Sequence, residues 1–247
     1  MNVYSLAFAL SASLVCLVGT GCDSAPGKPK LATEALRPEQ VLDFPTLYKH
    51  NCSACHGDDG QQGAAISLAN PVYLAVSGVD NLQHITASGI PGTLMPGFGH
   101  AAGGMLTDKQ IVVLVQGMVA TWGRPGVLTG SAVPSYASSS KGDPAHGQQA
   151  FATFCARCHG MDGSGMNANK EGQIGSLVDP AYLALVSDQG VRSLVIAGMP
   201  EQHMPDWRSG LTGVGARAMT AQEITDVVAW LGAHRIEAPG QPYQQHP

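Results

Sequence analysis

The stretch NCSACHGDDG, residues 51 to 60, places two cysteines three positions apart and a histidine directly after the second. The stretch FCARCHGMDG, residues 154 to 163, repeats the pattern about a hundred residues later. On a helical turn, two thiols at this spacing can add across the two vinyl groups of a haem, which leaves the histidine below the iron. The motifs therefore predict two covalently bound haem c groups, attached by Cys52, Cys55, Cys155 and Cys158, with His56 and His159 as iron ligands.

Two other chemistries use paired cysteines. A zinc site needs further Cys or His ligands at suitable spacing, and each motif has only one cysteine pair. A thioredoxin-like redox centre belongs to a strand-rich βαβ context, whereas the surrounding sequence has helical periodicity. The repeated histidine favours haem over both alternatives, which remain open.

The chain contains an internal duplication. The segment SLANPVYLAVS, 67–77, matches SLVDPAYLALVS, 176–187, at an offset of 109 residues, whereas the cysteine motifs match at an offset of 103. The loop after His159 is therefore six residues longer than the loop after His56. Each copy is expected to be one structural unit.

The duplication also identifies the candidates for the sixth iron ligand. Met95 and Met204 lie at the same offset, and a proline follows each of them. Histidine and methionine together raise the reduction potential of a haem iron. Met199 and His203 are competitors near the second iron, but neither position carries a ligand type in the first copy. We therefore predict Met95 and Met204 as axial ligands.

Helical signals predominate in both copies, which predicts an all-α fold. Both closing segments start with a capping box, Thr107 with Gln110 and Thr220 with Glu223, and continue with apolar residues at helical spacing. Between the copies lies a segment rich in Gly, Pro and Ser. The predicted organisation is a signal peptide (1–21), a flexible tether (22–42), a first haem domain (43–122), a linker (123–142), a second haem domain (143–234) and a flexible tail (235–247).

The leader predicts export. A mostly apolar run from Leu6 to Val18 is followed by small residues and Cys22, and the run is short for a membrane span. The stretch resembles a bacterial lipoprotein signal, which implies that Cys22 becomes a lipidated N-terminus. Simple cleavage and an uncleaved anchor are the alternatives. A net charge of −5 without a basic patch argues against a nucleic acid partner.

With these motifs, the sequence resembles tandem di-haem class I c-type cytochromes, in particular the cytochrome c domains of cbb-type oxidase subunits. The resemblance implies two small helical domains, each around one haem c, and a carbonyl that accepts a hydrogen bond from the proximal histidine, expected near Ser67–Pro71 and Ser176–Pro180. The oxidase subunits usually carry a transmembrane helix, which this chain lacks.

The expected function is therefore single-electron transfer on the periplasmic side of a bacterial membrane, by a lipid-tethered carrier or a peripheral subunit of a respiratory or photosynthetic complex. Expected partners are an oxidase, a dehydrogenase, a quinol-oxidising or photosynthetic complex, or a small cytochrome or cupredoxin. The alternative is a di-haem enzyme, peroxidase-like or a small-molecule dehydrogenase, with a labile sixth ligand at one haem. Two six-coordinate irons favour the carrier.

Overall fold

The computed structural model of the chain describes residues 36–168, 172–208 and 217–236. The predicted signal peptide, Cys22 and most of the predicted tether and tail lie outside the described residues. From Val41 onward, the described residues belong to one compact unit. No described helix is both long enough and apolar enough to cross a membrane.

The first half contains four α-helices. They are α1 (Phe44–Asn51), α2 (Ser53–His56), α3 (Pro71–Ser88) and α4 (Asp108–Trp122). Asp43 starts α1 by accepting from the Thr46 N–H, and the predicted capping box of Thr107 and Gln110 starts α4. Gly78, at φ 71°, bends α3 into two arms.

The second half repeats this order of helices, but two separate helices stand in place of the bent helix α3. Its helices are α5 (Pro144–Phe154), α6 (Ala156–His159), α7 (Pro180–Leu185), α8 (Asp188–Ala197) and α9 (Ala221–Gly232). The arms of α3 correspond to α7 and α8, and Ser187 stands where the first half has Gly78. Thr220 and Glu223 form the predicted capping box of α9.

The second half also contains a small hairpin that the sequence did not predict. Strands β1 (Met166–Ala168) and β2 (Gly172–Ile174) pair antiparallel, with Met166 opposite Ile174. The hairpin lies in the loop after His159, which is six residues longer than the corresponding loop of the first half. The fold is otherwise helical, so the all-α prediction is confirmed.

In each half, the closing helix packs against the helix that precedes the cysteine motif. Leu47 and Tyr48 of α1 are buried with Leu114 and Val115 of α4, and Phe151 of α5 lies against Trp230 of α9 with ring centroids 4.4 Å apart. The motif therefore begins where a buried helix crossing fixes the chain. This crossing positions the first cysteine of each pair.

The predicted linker is hydrogen-bonded to the second half along much of its length. The guanidinium of Arg192, buried on α8, donates to the carbonyls of Ser135 and Tyr136 at 2.9 and 3.0 Å. The Ser138 hydroxyl lies 3.0 Å from the Thr225 hydroxyl of α9. Since these bonds come from two helices, the linker follows a fixed path over the second half.

One buried side chain connects the two halves directly. The Asn70 carboxamide oxygen caps α3 by accepting from Val72 and Tyr73, while its NH₂ group donates to the carbonyls of Ala197 and Gly198 at 3.0 and 3.2 Å. Asp179, the corresponding residue of the second half, is exposed and caps α7 only. The Asn70 amide therefore bonds to two elements, because it has both an acceptor and a donor. A carboxylate at this position could only accept.

Candidate functional site

Each cysteine motif folds as one short helical turn between a longer helix and a glycine. Cys52 ends α1 and begins α2, and the His56 N–H donates to the Cys52 carbonyl at 3.0 Å. The second motif repeats this, with the His159 N–H donating to the Cys155 carbonyl at 3.0 Å. The structure thus places both thiols and the histidine of each motif on a single turn, as haem attachment requires.

A glycine ends the turn directly after each histidine. Gly57 has φ 81° and ψ 156°, and Gly160 has φ 76° and ψ 156°. Side chains other than hydrogen rarely adopt this backbone conformation. At Gly57, an added Cβ would also overlap the Gln61 carbonyl. The chain therefore leaves the motif by the same sharp path in both halves.

The first histidine has a defined tautomer. Its Nδ1 atom lies 2.8 Å from the carbonyl oxygen of Ile66. A carbonyl only accepts, so Nδ1 carries the proton and Nε2 keeps its lone pair for a metal. Burial lowers the pKa of His56, and the bond to Ile66 opposes this shift. The accepting carbonyl lies one residue before the range in which it was expected.

The second histidine differs from the first at the same atom. Nδ1 of His159 is buried, and among the described residues no group forms a hydrogen bond with it. Burial lowers the pKa of His159, with no opposing hydrogen bond. Gly175, which corresponds to Ile66, is exposed after the hairpin. The carbonyl expected near Ser176–Pro180 therefore does not accept a hydrogen bond from this histidine.

The four thiols are not paired in disulfides. Burial raises the pKa of Cys52 and of Cys155 to about 12, so both remain protonated at neutral pH. A thioredoxin-like centre needs the thiol pKa to be lowered instead. Across the described residues, no group of three or more His, Cys, Asp or Glu side chains is arranged to hold a metal ion. The donor set fits thioether attachment of a haem better than either alternative.

The two predicted methionine ligands occupy loops of the same construction. The Ile90 N–H donates to the Met95 carbonyl at 3.0 Å, and the Met199 N–H donates to the Met204 carbonyl at 2.9 Å. Each loop starts at a glycine with positive φ, Gly89 or Gly198, whose added Cβ would approach the methionine carbonyl to 2.7 Å. The shared geometry keeps Met95 and Met204 equivalent in space as well as in sequence.

The competitors near the second site hold other positions. Met199 is the backbone partner of Met204 at the opposite end of its loop. His203 is exposed in a left-handed turn at φ 60°. In the sequence, only the duplication distinguishes these positions from Met204, and the loop geometry agrees with that distinction.

A buried donor in the second half is left available for a cofactor. The indole of Trp207 is 1% exposed, and its Nε1–H finds no acceptor among the described residues. A buried N–H without an acceptor is costly, and a haem carries two carboxylates that can accept from it. The first half has Phe98 at this position. The residues present therefore fit a bound haem, which would supply a one-electron iron couple.

Two protein families match the chain, one in each half. Residues 40–116 match the family described as cytochrome c oxidase, cbb3-type, subunit III. Residues 144–234 match the family described as cytochrome c. Both halves are therefore cytochrome c domains, and two such domains imply two covalently bound haem c groups.

Two curated proteins are similar over most of this chain. One is a cbb3-type cytochrome c oxidase subunit FixPc of Rhizobium leguminosarum bv. viciae, 26% identical over 80% of this chain. The other is a cbb3-type cytochrome c oxidase subunit FixP of Sinorhizobium medicae, 26% identical over 72% of this chain. The aligned regions cover 63% and 57% of the lengths of these relatives.

Proposed function

We propose that this chain, with a cytochrome c domain in each half, is a di-haem c-type cytochrome that passes single electrons between redox proteins on the extracytoplasmic side of a bacterial membrane. The observation that carries the proposal is the repeated pairing of a Cys-x-x-Cys-His turn with a methionine loop of constant geometry. With a histidine and a methionine holding each haem, the group would supply a one-electron couple and would bind no substrate.

In this function, the residues of the chain position two irons and protect them from water. His56 and His159 would each hold one haem iron, and Met95 and Met204 would supply the second protein ligand of each iron. Thioether ligands favour ferrous iron and raise the reduction potential. The buried helix crossings behind each motif limit the movement of the ligands when the iron charge changes, which keeps the cost of each electron transfer small.

The partner that we propose is a respiratory oxidase complex. The support is the match of residues 40–116 to a cbb3-type subunit family and the similarity to the two FixP proteins. A lipid anchor on Cys22 would keep the domains close to such a complex. Replacement of Cys22 by Ser should then release the protein from membranes, and persistent membrane association after this change would contradict the anchor.

Carbon monoxide binding tests the axial assignments. The reduced wild-type protein should bind carbon monoxide slowly at both irons, since both are six-coordinate. Met95→Ala should open the first iron and Met204→Ala the second, so that each variant binds one equivalent rapidly. Met105→Ala, which changes a methionine that is 85% exposed, is the control and should behave as wild type.

Two outcomes would contradict the proposal. Rapid carbon monoxide binding by the wild-type protein would favour a di-haem enzyme with a labile ligand. Rapid binding by Met199→Ala in place of Met204→Ala would show that the second axial ligand was assigned to the wrong residue.

A further inference from the structure

The two proximal histidines differ in the hydrogen bond behind the iron. His56 donates from Nδ1 to the Ile66 carbonyl, whereas the buried Nδ1 of His159 has no partner among the described residues. A histidine that donates its second N–H to an oxygen becomes a more basic metal ligand. A more basic ligand stabilises the more positive, oxidised iron. This difference lowers the reduction potential of the first site relative to the second.

The loop length explains why the two halves differ. In the first half, the Ala65 N–H donates to the Cys55 carbonyl at 2.9 Å, which brings the Ile66 carbonyl to His56. In the second half, the Gly165 N–H donates to the His159 carbonyl at 3.0 Å, and the chain then enters the β1–β2 hairpin. The insertion therefore carries the returning chain away from the place that the first half uses.

Charge next to the motifs acts in the same direction. Asp58, two residues after His56, corresponds to Met161 in the second half, and Ala54 corresponds to Arg157. A carboxylate beside an iron favours its oxidised form, and a guanidinium favours its reduced form. Lys49 lines the same pocket as Asp58 and offsets part of its charge, so the order of potentials rests first on the hydrogen bond.

We propose that the first haem site has the lower reduction potential and the second the higher one, so that the chain conducts electrons from the first half to the second. The inference rests on the proposed function, because it requires a haem with histidine and methionine ligands in each half. It implies that the electron donor docks on the first half and that the acceptor docks on the second.

A redox titration of the intact haem protein tests this order. Two one-electron steps are expected, and their separation should correspond to at least a tenfold difference in electron occupancy, which is 59 mV for a one-electron couple. Replacement of a thioether ligand by imidazole lowers the potential of that haem. Met95→His should therefore shift the lower step, and Met204→His the higher step. The reverse assignment would overturn the inference.

Variants that copy residues from one half into the other test the cause of the difference in reduction potential. Asp58→Met should raise the lower step, and the reciprocal Met161→Asp should lower the higher step. Replacement of residues 160–175 by the first-half sequence GDDGQQGAAI should give His159 an acceptor and bring the two steps together. An unchanged separation in a folded loop variant would exclude the hydrogen bond as a cause.

A measurement on the unaltered protein avoids dependence on the folding of variants. The Nδ1–H proton of His56 should exchange slowly with solvent, because the Ile66 carbonyl holds it, and that of His159 should exchange faster. Equal exchange would contradict the structural difference. Failure of the proposed function would look different, since a protein without two haem groups would show no two-step titration at all.

Discussion

The two halves place a bulky aromatic residue and a glycine at the same helix crossing, but on opposite helices. In the first half, Phe44 of α1 packs on Gly117 of α4. In the second half, Gly147 of α5 packs on Trp230 of α9. The duplication has therefore preserved the total volume at the crossing and exchanged the residues that fill it. At constant packing density, the summed volume of the side chains at the crossing must stay the same, whereas the identity of each residue can change.

In each half, a tryptophan of the closing helix covers the glycine four residues after the motif histidine, which is Gly60 or Gly163. The two tryptophans come from different turns of the closing helix. Trp122 lies 5.0 Å from Tyr48 and 5.6 Å from Phe44 between ring centroids, and it abuts Gly60. Trp230, one turn or more nearer the helix start, abuts Gly163 in the second half. The two halves thus use tryptophans at different helix positions to cover the corresponding surface next to the motif.

The largest effect is expected from filling the glycine of the second crossing. In Gly147→Ala, the new methyl group would overlap the Asp226 backbone carbonyl and approach the Trp230 Cβ atom to 2.8 Å. A backbone obstacle can move only with its helix, so we expect a loss of about 3 kcal/mol in the free energy of unfolding. Guanidinium unfolding of the haem protein measures this loss.

The matched change in the first half should cost less. In Gly117→Ala, the atoms nearest to the methyl group would belong to the half-buried Phe44 side chain, whose ring can turn but whose Cβ atom lies 2.7 Å away. We expect a loss of about 1 kcal/mol, and a smaller loss when Gly117→Ala is made in the Phe44→Gly background, which removes the obstructing Cβ atom. Equal losses for Gly147→Ala and Gly117→Ala would break the comparison between backbone and side-chain obstacles.

An intermediate effect is expected at the contact between the halves. Asn70→Asp keeps an acceptor for the cap of α3 but removes the donor to the carbonyls of Ala197 and Gly198 and buries a charge. Leaving buried polar groups unpaired should cost about 2 kcal/mol in thermal or denaturant unfolding. The reciprocal Asp179→Asn, at an exposed cap, should stay within about 0.5 kcal/mol of wild type. A similar loss in both variants would assign the effect to capping.

The smallest effect is expected on the way the free energy of unfolding changes at low pH. Arg217 donates to the Glu223 carboxylate at 2.8 Å and, as the main cause, lowers the pKa of Glu223 to about 2 from its usual 4.5. A depressed folded-state pKa stabilises the protein above the usual value, and this contribution is lost as the pH falls from 4.5 towards 2. The first half has Gln110 at this position, which does not titrate.

Glu223→Gln therefore copies the first capping box into the second. Between pH 6 and pH 3, the variant should lose about 0.5 kcal/mol less stability than wild type, the value of an ion pair that water reaches. Unfolding curves at the two pH values measure the difference. An identical pH response in variant and wild type would show that this carboxylate contributes nothing.

Local patterns in the sequence predicted the parts of the fold that depend on neighbouring residues. The cysteine motifs, the two capping boxes and the methionine loops all follow from short-range spacing that the duplication repeats. The β1–β2 hairpin was missed because it lies in a loop that is six residues longer than the corresponding loop of the first copy, so the duplication offers no pattern for it. The carbonyl that accepts from His56 was predicted to within one residue, because Ile66 is close in the chain. The roles of Asn70 and Arg192 were missed because each is a contact between segments distant in the chain, and residue type alone does not specify such contacts.

The path of the linker has a consequence for the rate of electron movement within the chain. A Gly, Pro and Ser segment of this length would ordinarily let two domains reorient, so that the spacing between their redox centres would fluctuate. Here the segment is bonded to Arg192 and Thr225, which favours a constant spacing between the two cysteine motifs. Tunnelling between the irons should then follow a single exponential with a rate that does not change with solvent viscosity.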